Sequence, residues 1–141
     1  MTFAETRNII RNLEAEIGCY DWRETIENMR DCVADFEVPN FRFIHVDAID
    51  RIQQEELESD TYILGCFNPH FLSEILGMSS EAIRKIQEAS PEALGELVLA
   101  SGKLKEVQEG YVSADGYGHH FAHYDHHERE IAGTDYLAFK I

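Results

Sequence analysis

Apolar residues recur at helical intervals along most of the first 110 residues. Two segments open with a capping-box pattern, in which an N-cap side chain and an acid three residues later bond each other's backbone N–H groups; these begin at Thr2 and Asp21. The apolar stripe that follows each box predicts helices over about 3–17 and 22–36. Residues 41–46 are instead rich in β-forming types and predict a short strand.

Shorter helices are predicted to follow, several of them opened by a capping residue or by a cap and then proline. Their predicted ranges are about 47–59, 60–67, 69–77, 80–88 and 91–102, with a short amphipathic piece around Leu104 and Val107. Residues 60–67 have the composition of a buried strand as well. Helix is favoured there because Tyr62, Ile63, Cys66 and Phe67 begin a two-column apolar stripe at helical spacing that continues to Phe71.

From Tyr111 onward the apolar period changes to about two, which is typical of strands. Asp115-Gly116 is a hairpin signal, since both residues tolerate the positive φ of a type I′ turn. We therefore predict a second strand over about 117–124, a turn within 125–134 and a closing strand over 135–141.

These elements predict one helix-rich α+β domain over 1–141, with about six short helices and a small antiparallel sheet. Residues 1–110 would be mostly helical apart from the 41–46 strand, and the hairpin or meander at 111–141 would form most of the sheet. A chain of 141 residues is long enough to bury a core without disulfides or metal.

The charge balance is the most unusual global feature, with 27 Asp and Glu against 12 Lys and Arg and a formal net charge of −15. This field opposes direct binding to nucleic acid or an anionic membrane and attracts a basic protein surface. An acidic surface that serves only solubility is the plainer alternative. The candidate partner-binding acids form two groups, Glu24, Glu27, Asp31 and Asp35 on the second predicted helix and the dense run Glu55, Glu56, Glu58 and Asp60.

The three cysteines, Cys19, Cys32 and Cys66, are widely spaced and form no CxxC pair. We expect buried free thiols in a reducing compartment. The first residues lack the pattern of a signal peptide, and no apolar run reaches the roughly 20 residues of a membrane span. These features favour a cytoplasmic protein.

A histidine cluster between His119 and Glu128 is the strongest candidate for chemistry. On a strand, His123, Asp125 and His127 share one face at a spacing of about 6.6 Å, close enough to bind one divalent metal ion. On a helix, His119, His123 and His127 align instead. A histidine with Asp125 or Glu128 could alternatively perform acid–base catalysis, and a plain polar hairpin with neither metal nor catalysis is also consistent with the pattern.

Residues 69–88 resemble a helix-turn-helix, because their apolar and glycine positions match that motif. Ser73 stands where the first helix usually has alanine or glycine, and the second helix offers only Arg84 and Lys85 as cations. Glu74, Glu81 and Glu88 surround it, whereas DNA readers present a basic face.

Three functions therefore remain open. The favoured hypothesis is a non-enzymatic interaction or inhibitory protein of the kind that phages and mobile elements carry. It would occupy a basic surface of a partner, for example one that binds nucleic acid, and it needs no cofactor. The alternatives are a small metal- or His-dependent enzyme centred on His119–Glu128, and a helix-turn-helix regulator using 69–88. No motif with a defined catalytic mechanism is present, which favours the first hypothesis.

Overall fold

A computed structural model describes all residues from 1 to 141 and confirms the α+β class. The helices are α1 (Phe3–Glu16), α2 (Arg23–Arg30), α3 (Ile49–Glu58), α4 (Thr61–Gly65), α5 (Pro69–Leu76), α6 (Ser80–Ala89), α7 (Pro91–Ala100), α8 (Leu104–Asp115) and α9 (Gly118–Phe121). The strands are β1 (Asp35–Val38), β2 (Phe41–His45), β3 (Glu128–Glu130) and β4 (Tyr136–Lys140). The chain divides into two compact units, and the single-domain organisation remains a prediction.

Unit 1 contains residues 1–49 and 115–141 and holds the whole sheet. The strands lie in the order β1-β2-β4-β3, with antiparallel neighbours throughout. In the central pair, Phe41 lies opposite Lys140 and His45 lies opposite Tyr136. The core of this unit joins α1, α2 and the sheet through Leu13, Trp22, Ile26, Phe43, Ile131 and Ala138, among others.

Unit 2 contains residues 50–114 and is helical, built from α3 to α8. Its helix starts use the local signals present in the sequence: the side chains of Asp60, Asn68, Ser79 and Ser90 accept hydrogen bonds from first-turn N–H groups. Its core is formed by fully buried aliphatic side chains, including Leu57, Leu64, Leu72, Ile83, Leu94 and Val98.

Helices α4 and α7 touch through their backbones at two glycines. A methyl group on Gly65 would overlap the carbonyl oxygen of Pro91, and a methyl group on Gly95 would overlap the carbonyl oxygen of Thr61. The two contacts are reciprocal, since each glycine faces the first residue of the other helix. Only glycine allows this separation of the helix axes, so the two positions fix α4 against α7.

Several predicted elements form as expected. The 41–46 strand appears as β2, and the segment that could have been strand or helix at 60–67 contains helix α4. The apolar stripe that favoured helix there does not face the core along its whole length, however. Tyr62, Ile63 and Cys66 are exposed. Leu64 and Gly65 are the buried residues of α4.

The predicted second helix, 22–36, is wrong in its last third. Helix α2 ends at Arg30, Cys32 takes a left-handed φ of 54°, and the chain enters β1. Phe36 had fitted the helical stripe, but in the structure its ring stacks on Phe43 across the strand pair at a centroid distance of 5.2 Å. Tertiary pairing therefore overrides the local periodicity here.

The predicted hairpin around Asp115-Gly116 is also wrong. Helix α8 continues to Asp115, and Gly116 ends it with a φ of 71°, so the pair marks a helix terminus instead of a type I′ turn. The predicted strand at 117–124 is replaced by the short helix α9 and a loop, while the closing strand is confirmed as β4. Half of the sheet's strands consequently come from residues 35–45.

Candidate functional site

The histidine cluster lies on α9 and on the loop that leads from α9 into β3. The rings of His119 and His126 lie 4.8 Å apart between centroids, and His126 has a left-handed φ of 59°. His123, His126 and His127 are exposed. The strand geometry on which the trio at 123, 125 and 127 depended does not form, because these residues belong to the loop.

The acidic members of this cluster hold the loop in place. Asp125 forms an ion pair with Arg129, with 2.6 Å between Oδ2 and Nη2, and its Oδ1 accepts a hydrogen bond from the His127 backbone N–H. The Arg129 hydrogen bond is the main reason why the pKa of Asp125 lies below its ordinary value. Glu128 accepts a hydrogen bond from the Tyr117 backbone N–H at 3.3 Å.

No three His, Cys, Asp or Glu side chains in the structure are grouped so that they could hold a metal ion. At the predicted set His123, Asp125 and His127, the carboxylate that would bind a cation already binds the guanidinium of Arg129. The metal set and the catalytic candidates His123, Asp125 and Glu128 therefore stay sequence predictions, without a geometry that favours either chemistry.

The helix-turn-helix resemblance is reflected in the structure of residues 69–88. Helix α5 ends at Gly77, which has a φ of 68°, and α6 begins shortly after it at Ser80. Leu72 and Ile83 are fully buried, while Arg84 and Lys85 are exposed. Lys85 lies 3.7 Å from the carboxylate of Glu81, so the acids predicted to surround the second helix are present at its surface. DNA binding stays a prediction.

The structure separates the first acidic group. Glu24 and Glu27 lie on α2, with Glu24 exposed, and Asp31 is the C-cap residue of that helix. Asp35 lies on β1, and its carboxylate forms a two-bond ion pair with Arg42 at 2.7 and 2.8 Å. Because Asp35 is already paired, it contributes less negative potential to the surface than the sequence suggested.

The second acidic group remains together around the end of α3. Glu58 is exposed, Glu55 forms an exposed ion pair with Arg51 one turn earlier, and Glu56 is half-buried. Asp60 follows α3 and caps α4, since its carboxylate accepts the Ile63 N–H at 3.1 Å. The dense acidic run thus leads directly into α4.

Helix α4 adds an exposed apolar surface that the sequence had assigned to an inward-facing stripe. The Tyr62 side chain is 54% exposed and that of Ile63 is 42% exposed. Glu92 and Glu96 are exposed on α7, the helix that contacts α4 at the two glycines. No local pattern predicts this surface, because the pairing of α4 with α7 links residues about 30 apart in sequence.

A second feature missed in the sequence is a groove of about 490 Å³ in unit 1. It lies between α1 and α2 and is lined by Ile10, Tyr20, Trp22, Ile26 and charged residues that include the Asp21–Arg23 ion pair. The charges at its rim are of both signs, so the groove does not select a ligand class by charge.

Comparisons with protein-family models, with curated proteins and with solved structures found no match. No helix in the structure combines the length and the apolar character that crossing a membrane requires.

Proposed function

We propose that this chain is a non-enzymatic interaction protein whose acidic surface occupies a basic site on a partner protein. The observation that carries the proposal is the charge balance. Even if every Lys and Arg paired with one acid, 15 of the 27 Asp and Glu would have no Lys or Arg partner. Such a surplus attracts cationic surfaces over distances set by the ionic strength.

The surplus is present in both compact units. Unit 1 has 15 acids against seven Lys and Arg, and unit 2 has 12 against five. Many of these acids are exposed, including Glu24, Glu58 and Glu92. Nucleic-acid-binding surfaces are much more positively charged than protein–protein interfaces, so a mimic of nucleic acid, as carried by phages and mobile elements, is the specific form of this proposal.

The enzyme hypothesis has less support. The ion pair with Arg129 lowers the pKa of Asp125, so this carboxylate is a weaker base than an ordinary aspartate. An efficient general base has a pKa near the operating pH, and the shift moves Asp125 away from that range.

The test begins with the immobilised chain, a host lysate and elution by a salt gradient, which identifies a partner and its electrostatic character together. The dissociation constant of the purified partner is then measured between about 50 and 500 mM salt. Over that range the screening length falls from about 14 Å to about 4 Å, and affinity should fall by orders of magnitude.

A short DNA duplex should also compete with the chain for the same partner site. Neutralising Glu24, Glu27 and Asp31, or separately Glu55 and Glu58, with the corresponding amides should weaken binding for at least one group. A dissociation constant that is indifferent to salt, or a partner that binds DNA and the chain simultaneously at full affinity, would refute the proposal.

A further inference from the structure

Tyr62 and Ile63 form an apolar surface within the most acidic part of unit 2. Both side chains are exposed because Leu64 and Gly65 occupy the buried side of the short helix α4. A tyrosine that is 54% exposed keeps a large planar face in contact with solvent. Tyrosines of this kind are enriched at the centres of protein interfaces.

Acidic residues lie close to Tyr62 in the chain and on α7, the helix that contacts α4. The pKa of Tyr62 is raised mainly by its interaction with the Cys66 side chain, then by desolvation, and in smaller part by the negative charge of Glu92. Glu92 also lies at the contact between α4 and α7, because it follows Pro91, whose backbone lies against Gly65, and Gly65 is three residues after Tyr62 in α4. Glu58 and Asp60 precede α4 in the chain, and Glu96 follows Glu92 one helical turn later.

The position of these groups is fixed by the backbone. Gly65 lies against Pro91 and Gly95 lies against Thr61, so the residues beside Tyr62 and Glu92 cannot slide past each other. A surface held by its own packing loses less conformational entropy when a partner binds.

Another exposed tyrosine of the chain already has a cation lying over its ring. Tyr124 is 72% exposed, and the Nζ atom of Lys140 lies over its ring at 4.2 Å from the centroid. No Lys or Arg of the chain lies over the ring of Tyr62. Its face is open to a cation from another molecule, and acids are available to pair with that cation.

We propose that Tyr62, together with Glu58 and Glu92, forms the anchor site for an arginine of a basic partner segment. The guanidinium stacks on the Tyr62 ring and the acids pair with it and with neighbouring cations. Arginine fits better than lysine, because its planar guanidinium stacks on aromatic rings and is more weakly hydrated. This inference rests on the proposed function and specifies where the basic partner binds.

The test uses two defined probes, octa-arginine and octa-lysine, titrated by calorimetry into the full chain at low salt. The unmodified chain should bind octa-arginine more tightly than octa-lysine. Tyr62→Ala should weaken octa-arginine binding by about two- to fivefold and remove the preference for arginine. Tyr62→Phe, which keeps the ring, should retain most of the preference.

Matched controls are available on unit 1. Tyr124→Ala removes an exposed tyrosine whose face is already covered by Lys140, and it should leave the preference unchanged. Glu92→Gln should weaken both probes more than Glu130→Gln, which removes an exposed acid on β3. Circular dichroism of each variant checks that the helices are intact.

The outcomes separate the two proposals. If both probes bind with strong salt dependence but Tyr62→Ala behaves like Tyr124→Ala, the anchor site is wrong and the electrostatic function stands. Equal binding of octa-arginine and octa-lysine to the unmodified chain would likewise overturn the anchor site alone. If neither probe binds at low salt, both proposals are refuted.

Discussion

Replacing Gly95 with alanine tests the backbone contact between α4 and α7. Gly95 lies in the interior of α7, where alanine favours the helix over glycine by about 1 kcal/mol. In this structure, however, the added methyl group would overlap the Thr61 carbonyl oxygen, far inside the 3.0 Å limit that real Cβ atoms keep. A backbone atom cannot rotate away as a flexible side chain can, so the helices must separate.

The magnitude follows from the surrounding core. Separation of α4 from α7 loosens Leu64, Leu94 and Val98, all of which are fully buried. Overpacking in well-packed cores costs about 1–3 kcal/mol, and the rigid obstacle places this case at the upper end. After the helix-propensity gain is subtracted, we expect Gly95→Ala to lower the free energy of unfolding by about 2 kcal/mol. The urea midpoint should fall by about 1 M, given typical denaturant slopes.

Two further variants make the result decisive. Gly65→Ala should cost a similar amount, and the double variant should cost less than the two single losses combined, because one separation of the helices relieves both overlaps. Gly102→Ala is the matched control; its φ is 72° but nothing lies within 4 Å of an added Cβ, so only backbone strain of about 1 kcal/mol is expected. If Gly95→Ala proved as stable as the unmodified chain, or if the losses were additive, the backbone contact would not be as described.

Three other predictions concern the loop and the thiols. Asp125→Ala should lower the free energy of unfolding in urea by about 1 kcal/mol, because it leaves the half-buried Arg129 without its carboxylate. His123→Ala, at an exposed position, should change it by less than about 0.5 kcal/mol. Equal losses for the two variants would contradict this prediction. The lowered pKa of Asp125 stabilises the fold above its ordinary value of 3.8, and this stabilisation is lost as pH falls through the lowered folded-state pKa. The stability advantage of the unmodified chain over Asp125→Asn should therefore shrink as acid unfolding is followed below pH 3.8, and a constant difference would argue against the ion pair. All three cysteines are free and exposed, contrary to the expected burial, so alkylation of the folded chain without reductant should add three groups by intact mass, and fewer would show a disulfide or a protected thiol.

Local signals predicted most helix starts, and distant pairing was the main source of error. The capping box predicted at Asp21 and Glu24 is wrong, because Trp22 is the N-cap residue of α2 and its side chain makes no cap hydrogen bond. The caps at Thr2, Asn68 and Ser90 could be predicted because a cap depends on residues within one turn. Phe36 continues the helical spacing of the apolar residues before it, so the periodicity assigned it to the second helix. Its strand conformation is determined by pairing with β2, which local periodicity does not contain.

The strand prediction for the segment after Tyr111 was wrong for a related reason. Its aromatic residues alternate as in a strand, but Tyr111 is buried as part of the apolar face of α8 with Val107. The positive φ that Gly116 supplies is required both by hairpin turns and by helix ends, so the dipeptide alone could not distinguish them.

The candidate sites show the same difference between features set by neighbouring residues and features set by distant pairing. The ion pair of Asp125 with Arg129 joins residues only four apart, but the neighbouring histidines predicted metal binding instead. The second acidic group remained together because it is nearly contiguous in sequence. The proximity of Tyr62 to Glu92 depends on the packing of α4 on α7 and had no local signal.

The pairing of β2 with β4 has a consequence for the order in which the chain folds. These central strands join residues about 100 positions apart, from Phe41 to Lys140, whereas unit 2 is one continuous stretch of 65 residues, from 50 to 114. During synthesis, the helices of unit 2 can therefore pack before β4 has been made. Over that interval β1 and β2 can pair only with each other, as a two-stranded hairpin. Such a hairpin is marginally stable alone and exposes the strand edge that β4 later covers. Before β4 is synthesised, that edge can pair with a strand of another chain.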